Sequence, residues 1–178
     1  MEGRERRRLF CALRLPDAAL DSLCEWQARE LRNGRLVSRD NLHITLAFLG
    51  HRPAAELPEI TGALHESAVR AEPIRLLPER YRETRSVGML VLKDLAGSAS
   101  VLADDLFGRL ERLGVYRRER RQWLPHVTVL RFRRPPRLEP PLPDLGEVTP
   151  SDAAAYLSRL GPKGAEYVVV ESFVLGRG

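Results

Sequence analysis

The chain has 178 residues, 43% of them hydrophobic and 30% charged; this suits one compact domain, or two small lobes sharing a core, and excludes a disordered or fibrous chain. Two cysteines without a Cys-x-x-Cys pair, Cys11 and Cys24, exclude a disulfide scaffold and a zinc finger and fit the reduced thiols of a cytoplasmic protein, while no apolar run reaches transmembrane length. The formal net charge is +5 and almost every basic residue is arginine, Lys93 and Lys163 being the lysines, so phosphate recognition competes with surface ion pairing as the use of that charge.

Arg4, Arg6, Arg7 and Arg8 precede an apolar run, Leu9 to Leu15, that reads as a buried first strand; Arg14 and Pro16-Asp17 break it too early for a secretory leader. Pro16-Asp17 opens an amphipathic helix over Ala18 to Leu31, with Leu20, Leu23, Cys24 and Leu31 apolar, and Asn33-Gly34 is expected to end it. Arg35 to Val37 is a short strand and Ser38 to Asn41 a turn. A strand then runs from Asn41 to a closing Gly50. A second helix runs from about Leu57 to Arg70. Ile74 to Tyr81 is an edge-like strand because Pro78 interrupts it, and Val87 to Leu92 is a better one. A third helix begins at Gly97-Ser98 and ends at Leu113, capped by Gly114. Arg117, Arg118, Arg120 and Arg121 form a run that is either a solvated loop or a lure for a polyanion. After Phe132 comes a proline-rich linker, Pro135 to Pro143. Three strands close the chain, at 146–149, 153–159 and 166–175, the last two joined by Gly161-Pro162-Lys163-Gly164 as an antiparallel hairpin.

Two of these strands carry one pattern. Asn41-Leu42-His43-Ile44-Thr45-Leu46-Ala47-Phe48-Leu49-Gly50 is answered by Trp123-Leu124-Pro125-His126-Val127-Thr128-Val129-Leu130, 83 residues on. Strand side chains alternate, so His43 and Thr45 share one face while Ile44, Leu46 and Phe48 take the other, and His126 and Thr128 oppose Val127 and Val129. Both copies follow a strand and a helix, which points to a duplicated lobe giving one histidine each. The other histidines, His51 in the expected strand exit and His65 on a helix, read as surface residues. Trp26 and Trp123 read as packing residues.

Two histidines facing each other across a cleft, with no nucleophilic serine and no third ligand for a metal, suit acid–base catalysis at phosphorus. In-line displacement puts the attacking and leaving oxygens on opposite sides, so one imidazole takes a proton from water and the other returns one. Thr45 and Thr128 hydroxyls would donate to nonbridging oxygens. A cyclic phosphodiester is a natural substrate, since ring strain lowers its barrier.

His43-Ile44-Thr45-Leu46 and His126-Val127-Thr128-Val129 resemble the paired H-x-T-x signatures of the 2H phosphoesterase superfamily. Within it, Arg39 to Gly50, Leu9 to Pro16, Pro125 to Arg131, Tyr156-Leu157-Ser158 and Gly161 to Tyr167 resemble the RNA 2′,3′-cyclic phosphodiesterases, long called 2′-5′ RNA ligases. The resemblance implies an α+β fold over residues 1–178: a single bilobal domain in which two pseudo-symmetric antiparallel sheets flanked by helices enclose a central cleft. It implies metal-free, cofactor-free hydrolysis of an RNA terminal 2′,3′-cyclic phosphate to a 2′-phosphate, on a tRNA-like or oligonucleotide end, with weak reverse ligation. His43 and His126 are then catalytic, with His43 the acid at O3′ and His126 the base, and Thr45, Thr128 and Arg131 bind substrate. Arg131 meets an objection: five steps from His126 on a regular strand it points away from the cleft, unless the strand bulges. The chain also lacks a tryptophan that the family often shows in the strand at Val87 to Leu92. No membrane and no partner subunit are implied, and a cytoplasmic monomer is expected. Two other readings stay open: a phosphodiesterase for small cyclic nucleotides or ADP-ribose cyclic phosphate, and a non-catalytic RNA-binding module.

Overall fold

The computed structural model describes residues 6–162 and 164–176; Arg4 of the basic start and Lys163 of the hairpin turn lie outside them. The described chain runs β1 (Arg6–Leu13), α1 (Asp17–Glu30), β2 (Arg35–Leu36), β3 (Ile44–Pro53), α2 (Leu57–Arg70), β4 (Leu76–Glu83), β5 (Val87–Asp94), α3 (Ser98–Arg112), β6 (His126–Arg131), β7 (Asp152–Gly161) and β8 (Gly164–Val174). Among the described residues the strands form one sheet in the order β4-β5-β6-β3-β1-β7-β8, with β2 beside β6 and all neighbours antiparallel. The two expected sheets are its halves, β3-β1-β7-β8 and β2-β6-β5-β4. They meet where β3 and β6 share a single register pair, Ile44 opposite Val127. That seam lies between the two motif strands. The order β1-α1-β3 in one half answers β5-α3-β6 in the other, as the shared rhythm of the sequence predicts.

One face of the sheet is apolar because alternate strand residues are. Leu9, Leu13, Ile44, Leu46, Leu90, Val127 and Val129 join Leu23 and Trp26 of α1, Ile60 and Leu64 of α2, and Leu102 and Leu106 of α3 in one buried cluster. Each fully buried leucine contributes roughly 1.5–3 kcal/mol from its burial. Helix α2 is joined to α3 by Ser67, which donates to Asp105 at 2.7 Å, and Arg109, one turn on in α3, pairs with the same carboxylate. The proline-rich linker is held by the Trp26 indole, whose N–H donates to the Pro141 carbonyl at 2.7 Å. Cys11 is buried in the core, which pushes its thiol up to about 12 and keeps it inert.

Several boundaries differ from the sequence reading. Helix α1 ends at Glu30, and Asn33, not Gly34, takes the left-handed conformation (φ 61°). Gly34 is needed for a different reason: a Cβ there would sit 2.7 Å from the Arg131 carbonyl, where β2 meets β6. Gly50 does not close β3. The strand continues to Pro53, so His51 is a strand residue opposite Arg8. No strand forms at 146–149 among the described residues; Val148 makes an isolated bridge with Leu76. The β7–β8 hairpin forms as expected.

Candidate active site

The two motif strands share one departure from simple alternation, and β3 has a second at Leu49. On β3, Ala12 pairs with Thr45 and its neighbour Cys11 with Ala47, so Leu46 is an extra residue. On β6, Met89 pairs with Thr128 and its neighbour Gly88 with Leu130, so Val129 is extra. Each bulge lies three residues after its histidine. A bulge buries two successive side chains and returns the next to the front face. Leu46 and Ala47 are 2% and 1% exposed, and Phe48 follows at 48%. Val129 and Leu130 are both buried, and Arg131 follows, exposed. Phe48 is therefore on the polar front, not on the greasy back where alternation puts it. Arg131 is brought round to the same front as His126 and Thr128, which removes the objection to it. The fifth residue after the histidine is Phe48 in one half and Arg131 in the other.

The β6 bulge is held from behind by Gln27 of α1. Its buried amide donates to the Val129 carbonyl at 2.8 Å and to the Val37 carbonyl at 3.0 Å, and the Val37 N–H also donates to Val129 at 3.1 Å. Gln27→Leu removes both side-chain hydrogen bonds, leaving the Val37 carbonyl without its Gln27 donor and the Val129 carbonyl with the Val37 N–H alone. It is expected to cost about 1–3 kcal/mol, the penalty for an unmade buried hydrogen bond. The midpoint of urea unfolding measures this; an unchanged midpoint would show that the bulge holds itself.

His43 precedes β3 and is fixed at both ring nitrogens. Its Nδ1–H donates to the Asn41 carbonyl at 2.8 Å, and its Nε2 accepts from the Thr45 hydroxyl at 2.9 Å. Asn41 is anchored in turn, its side-chain amide donating to the Ala165 carbonyl of β8 at 2.9 Å. The turn before it is tied to α1 by Arg39, which pairs with Asp21 and Asp17. Phe10 stacks on the imidazole at 4.9 Å between centroids, and Tyr167 meets it edge-on at 5.4 Å. Tyr156 stacks on Phe10 at 4.9 Å and lies 5.9 Å from the imidazole, tilted to it. This aromatic box strips water from His43, and that burial is the main cause pushing its pKa down to about 4. The Asn41 carbonyl works the other way, while the positive charges of His126 and Arg131 add to the depression.

His126 is held similarly, with Nδ1–H donating to the Leu124 carbonyl at 2.9 Å, two residues upstream as for His43. In both histidines Nε2 is therefore the atom left for chemistry. No ring stacks on His126 among the described residues, so the two halves give their histidines different surroundings. Arg131 reaches from β6 to β8, where its guanidinium donates to the Tyr167 hydroxyl at 3.4 Å. Trp123 donates from its indole N–H to the Thr45 carbonyl at 3.1 Å, which makes it a wall between the two motif strands. Trp26, by contrast, is wholly core.

The front thus gathers all five expected site residues: His43, His126, Thr45, Thr128 and Arg131. The sequence reading gave no role to Phe10, Asn41, Phe48, Tyr156 or Tyr167. All five stood inside the segments that carried the family resemblance, which was the available signal. The face on which Phe48 lies had none, because it depends on a bulge. His65 stays apart, exposed and stacked on Phe173 at 4.7 Å. Among the described residues no three His, Cys, Asp or Glu side chains converge, and no helix is long and apolar enough to cross a membrane.

Residues 13–81 match the model of a family described as LigT-like phosphoesterases. The chain is 33% identical to an RNA 2′,3′-cyclic phosphodiesterase of Thermus thermophilus, covering 94% of this chain and 90% of that one. It is 33% identical to a protein of the same name from Escherichia coli, covering 71% and 73%. The crystal structure of E. coli LigT in apo form has a TM-score of 0.82 and 24% identity, covering 97% of this chain and 99% of the other, a likeness of fold.

Proposed function

The chain belongs to the LigT-like phosphoesterases and is an RNA 2′,3′-cyclic phosphodiesterase; we propose that it opens the terminal cyclic phosphate by passing one proton through each of His43 and His126. What supports this reading is the paired bulged frame, which sets His43, Thr45, His126, Thr128 and Arg131 on one face of the sheet beside the seam between the motif strands. Water attacks phosphorus as one imidazole takes its proton. The P–O3′ bond breaks and the other imidazole protonates O3′, leaving a 2′-phosphate and a 3′-hydroxyl. Thr45, Thr128 and Arg131 stabilise charge gathering on the nonbridging oxygens.

His43 is neutral in the empty cleft near pH 7. To act as the acid it takes up a proton as the anionic phosphodiester arrives, because an adjacent anion favours imidazolium. Thr45, which bonds His43 Nε2 in the empty cleft, then turns to the phosphate. A 5′-hydroxyl in place of water gives the reverse ligation and a 2′-5′ bond. The protein acts as a monomer in the cytoplasm, on oligonucleotide or tRNA-like ends.

The test is an oligoribonucleotide ending in 2′,3′-cyclic phosphate, incubated with enzyme in excess EDTA. The expected product is the 2′-phosphate, resistant to a 3′-phosphatase. A 3′-phosphate product would place the leaving oxygen on the wrong side of the frame. Loss of turnover in EDTA, restored by a divalent ion, would overturn the two-histidine reading.

A further inference from the structure

The cleft does not end at the histidines. From His126, Thr45 and Phe48 it continues past Trp123 as a groove of about 1080 Å³. One bank is the irregular segment 115–125, and the other includes Arg82 of β4. Arg82 pairs in register with Met89, and Met89 with Thr128, so Arg82 stands on the front face of the sheet. A cyclic phosphate with its ribose and base fills only the near end of such a groove.

The charges along it are unequal. Its two carboxylates are already spent: Asp104 on Arg118 at 2.5 Å, and Glu119 on Arg121 at 2.6 Å. Arg118 also pairs with Glu111 and lies over the Phe107 ring, so it braces the loop against α3. Arg82, Arg117 and Arg120 line the groove and have no hydrogen-bond or ion-pair partner among the described residues. Three unpaired guanidinium groups in one groove, opening from a phosphate-handling site, match a phosphate backbone rather than an apolar ligand.

We infer that this groove holds the RNA strand 5′ of the reacting nucleotide, with Arg117 and Arg120 on one bank and Arg82 on the other gripping its phosphates. This rests on the phosphodiesterase reading and deepens it: the substrate class is single-stranded RNA of several nucleotides, not a mononucleotide. Arg118 and Arg121 serve the loop's shape. The arginine run is thus divided, two for structure and two for substrate.

The experiment compares kcat/KM for a twelve-nucleotide RNA ending in 2′,3′-cyclic phosphate with that for a 2′,3′-cyclic mononucleotide, in wild type and in Arg117→Gln/Arg120→Gln. Wild type is expected to favour the long substrate by about tenfold or more at low salt, and the variant to lose most of that ratio. The salt slope of log Kd for a twelve-nucleotide product ending in 2′-phosphate should drop by about 1.4, two single-strand phosphate contacts at roughly 0.7 each. An unaltered ratio and slope, or an equal loss on both substrates, overturns the groove. Arg82→Gln, on the opposite bank, guards against a loop that has merely refolded: it should lower the same ratio. Wild-type protein that hydrolyses neither substrate would overturn the phosphodiesterase reading instead. The groove is then judged by binding alone, salt-sensitive in wild type and weakened in the double variant, or else refuted.

Discussion

His43→Ala and His126→Ala are each expected to slow hydrolysis of a terminal 2′,3′-cyclic phosphate by about 10²–10⁴-fold, the usual contribution of a positioned general acid or base. The double variant should lose far less than the product of the single losses, because the pair acts as a unit. The pH profile sharpens this. On the proposed mechanism the rate depends on one neutral and one protonated imidazole, so kcat/KM should follow a bell whose limbs are the two free-enzyme pKa values. The bell does not depend on which imidazole plays the acid. Burial holds His43 at about 4, so the acidic limb should lie near pH 4, well below the ordinary histidine range. Opening the aromatic box with Tyr167→Ala should move that limb upward, as water returns to the ring. The sign for stability is opposite to that of a salt-bridged histidine. The unfolded chain protonates His43 first, so the native state loses stability as pH falls from about 6.5 towards 4, and the loss levels off below that. Short exposures and a return to pH 7 separate this from the catalytic limb. Near wild-type turnover by His43→Ala would sink the mechanism.

Arg131→Ala should lower kcat/KM by about 10²–10³-fold, the loss typical when a preorganised donor to developing charge is removed. On the proposed mechanism, a guanidinium brought round to the front by the Val129 bulge meets a nonbridging oxygen as a charged donor. It also stands close enough to lower the His43 pKa. The variant should therefore show a second effect, an acidic limb raised slightly above that of wild type. Arg131→Lys keeps the charge without the forked geometry and should recover part of the rate. Tyr167→Phe removes the hydroxyl that accepts from Arg131 but leaves the ring, and should cost little. If Arg131→Ala stays within about twofold of wild type, the guanidinium serves the β6–β8 contact and not the phosphate.

The strands, helices and histidines were legible because local patterns set them. Leu9, Leu13, Ile44 and Val127 are buried as alternation and run length suggest. Alternation stops being a guide at Leu46 and Val129, because a bulge adds a residue without changing composition. Phe48 was misplaced on that account, and Arg131 was left in suspense. The strand expected at 146–149 failed differently: Val148 alone finds a partner in Leu76. His51 was read as an exit loop because a glycine precedes it, but Gly50 at φ 69° sits within a continuing strand. The aromatic box was invisible in another sense. Phe10, Tyr156 and Tyr167 lie on three strands far apart in the chain, and only the order β3-β1-β7-β8 makes them neighbours of His43.

Two matched strands, each with a histidine, a threonine and a bulge at the same step, would by themselves build a site that looks the same from either end. A phosphodiester could then settle in it two ways round, related by a half turn, with the two histidines exchanging roles. The sockets five residues past the histidines remove that ambiguity. Phe48 offers a ring and Arg131 a charge; with the proposed substrate in place, the base would match one and the phosphate the other, setting the nucleotide's polarity along the cleft. Divergence of the two copies at that one socket turns a palindromic frame into a site with a direction.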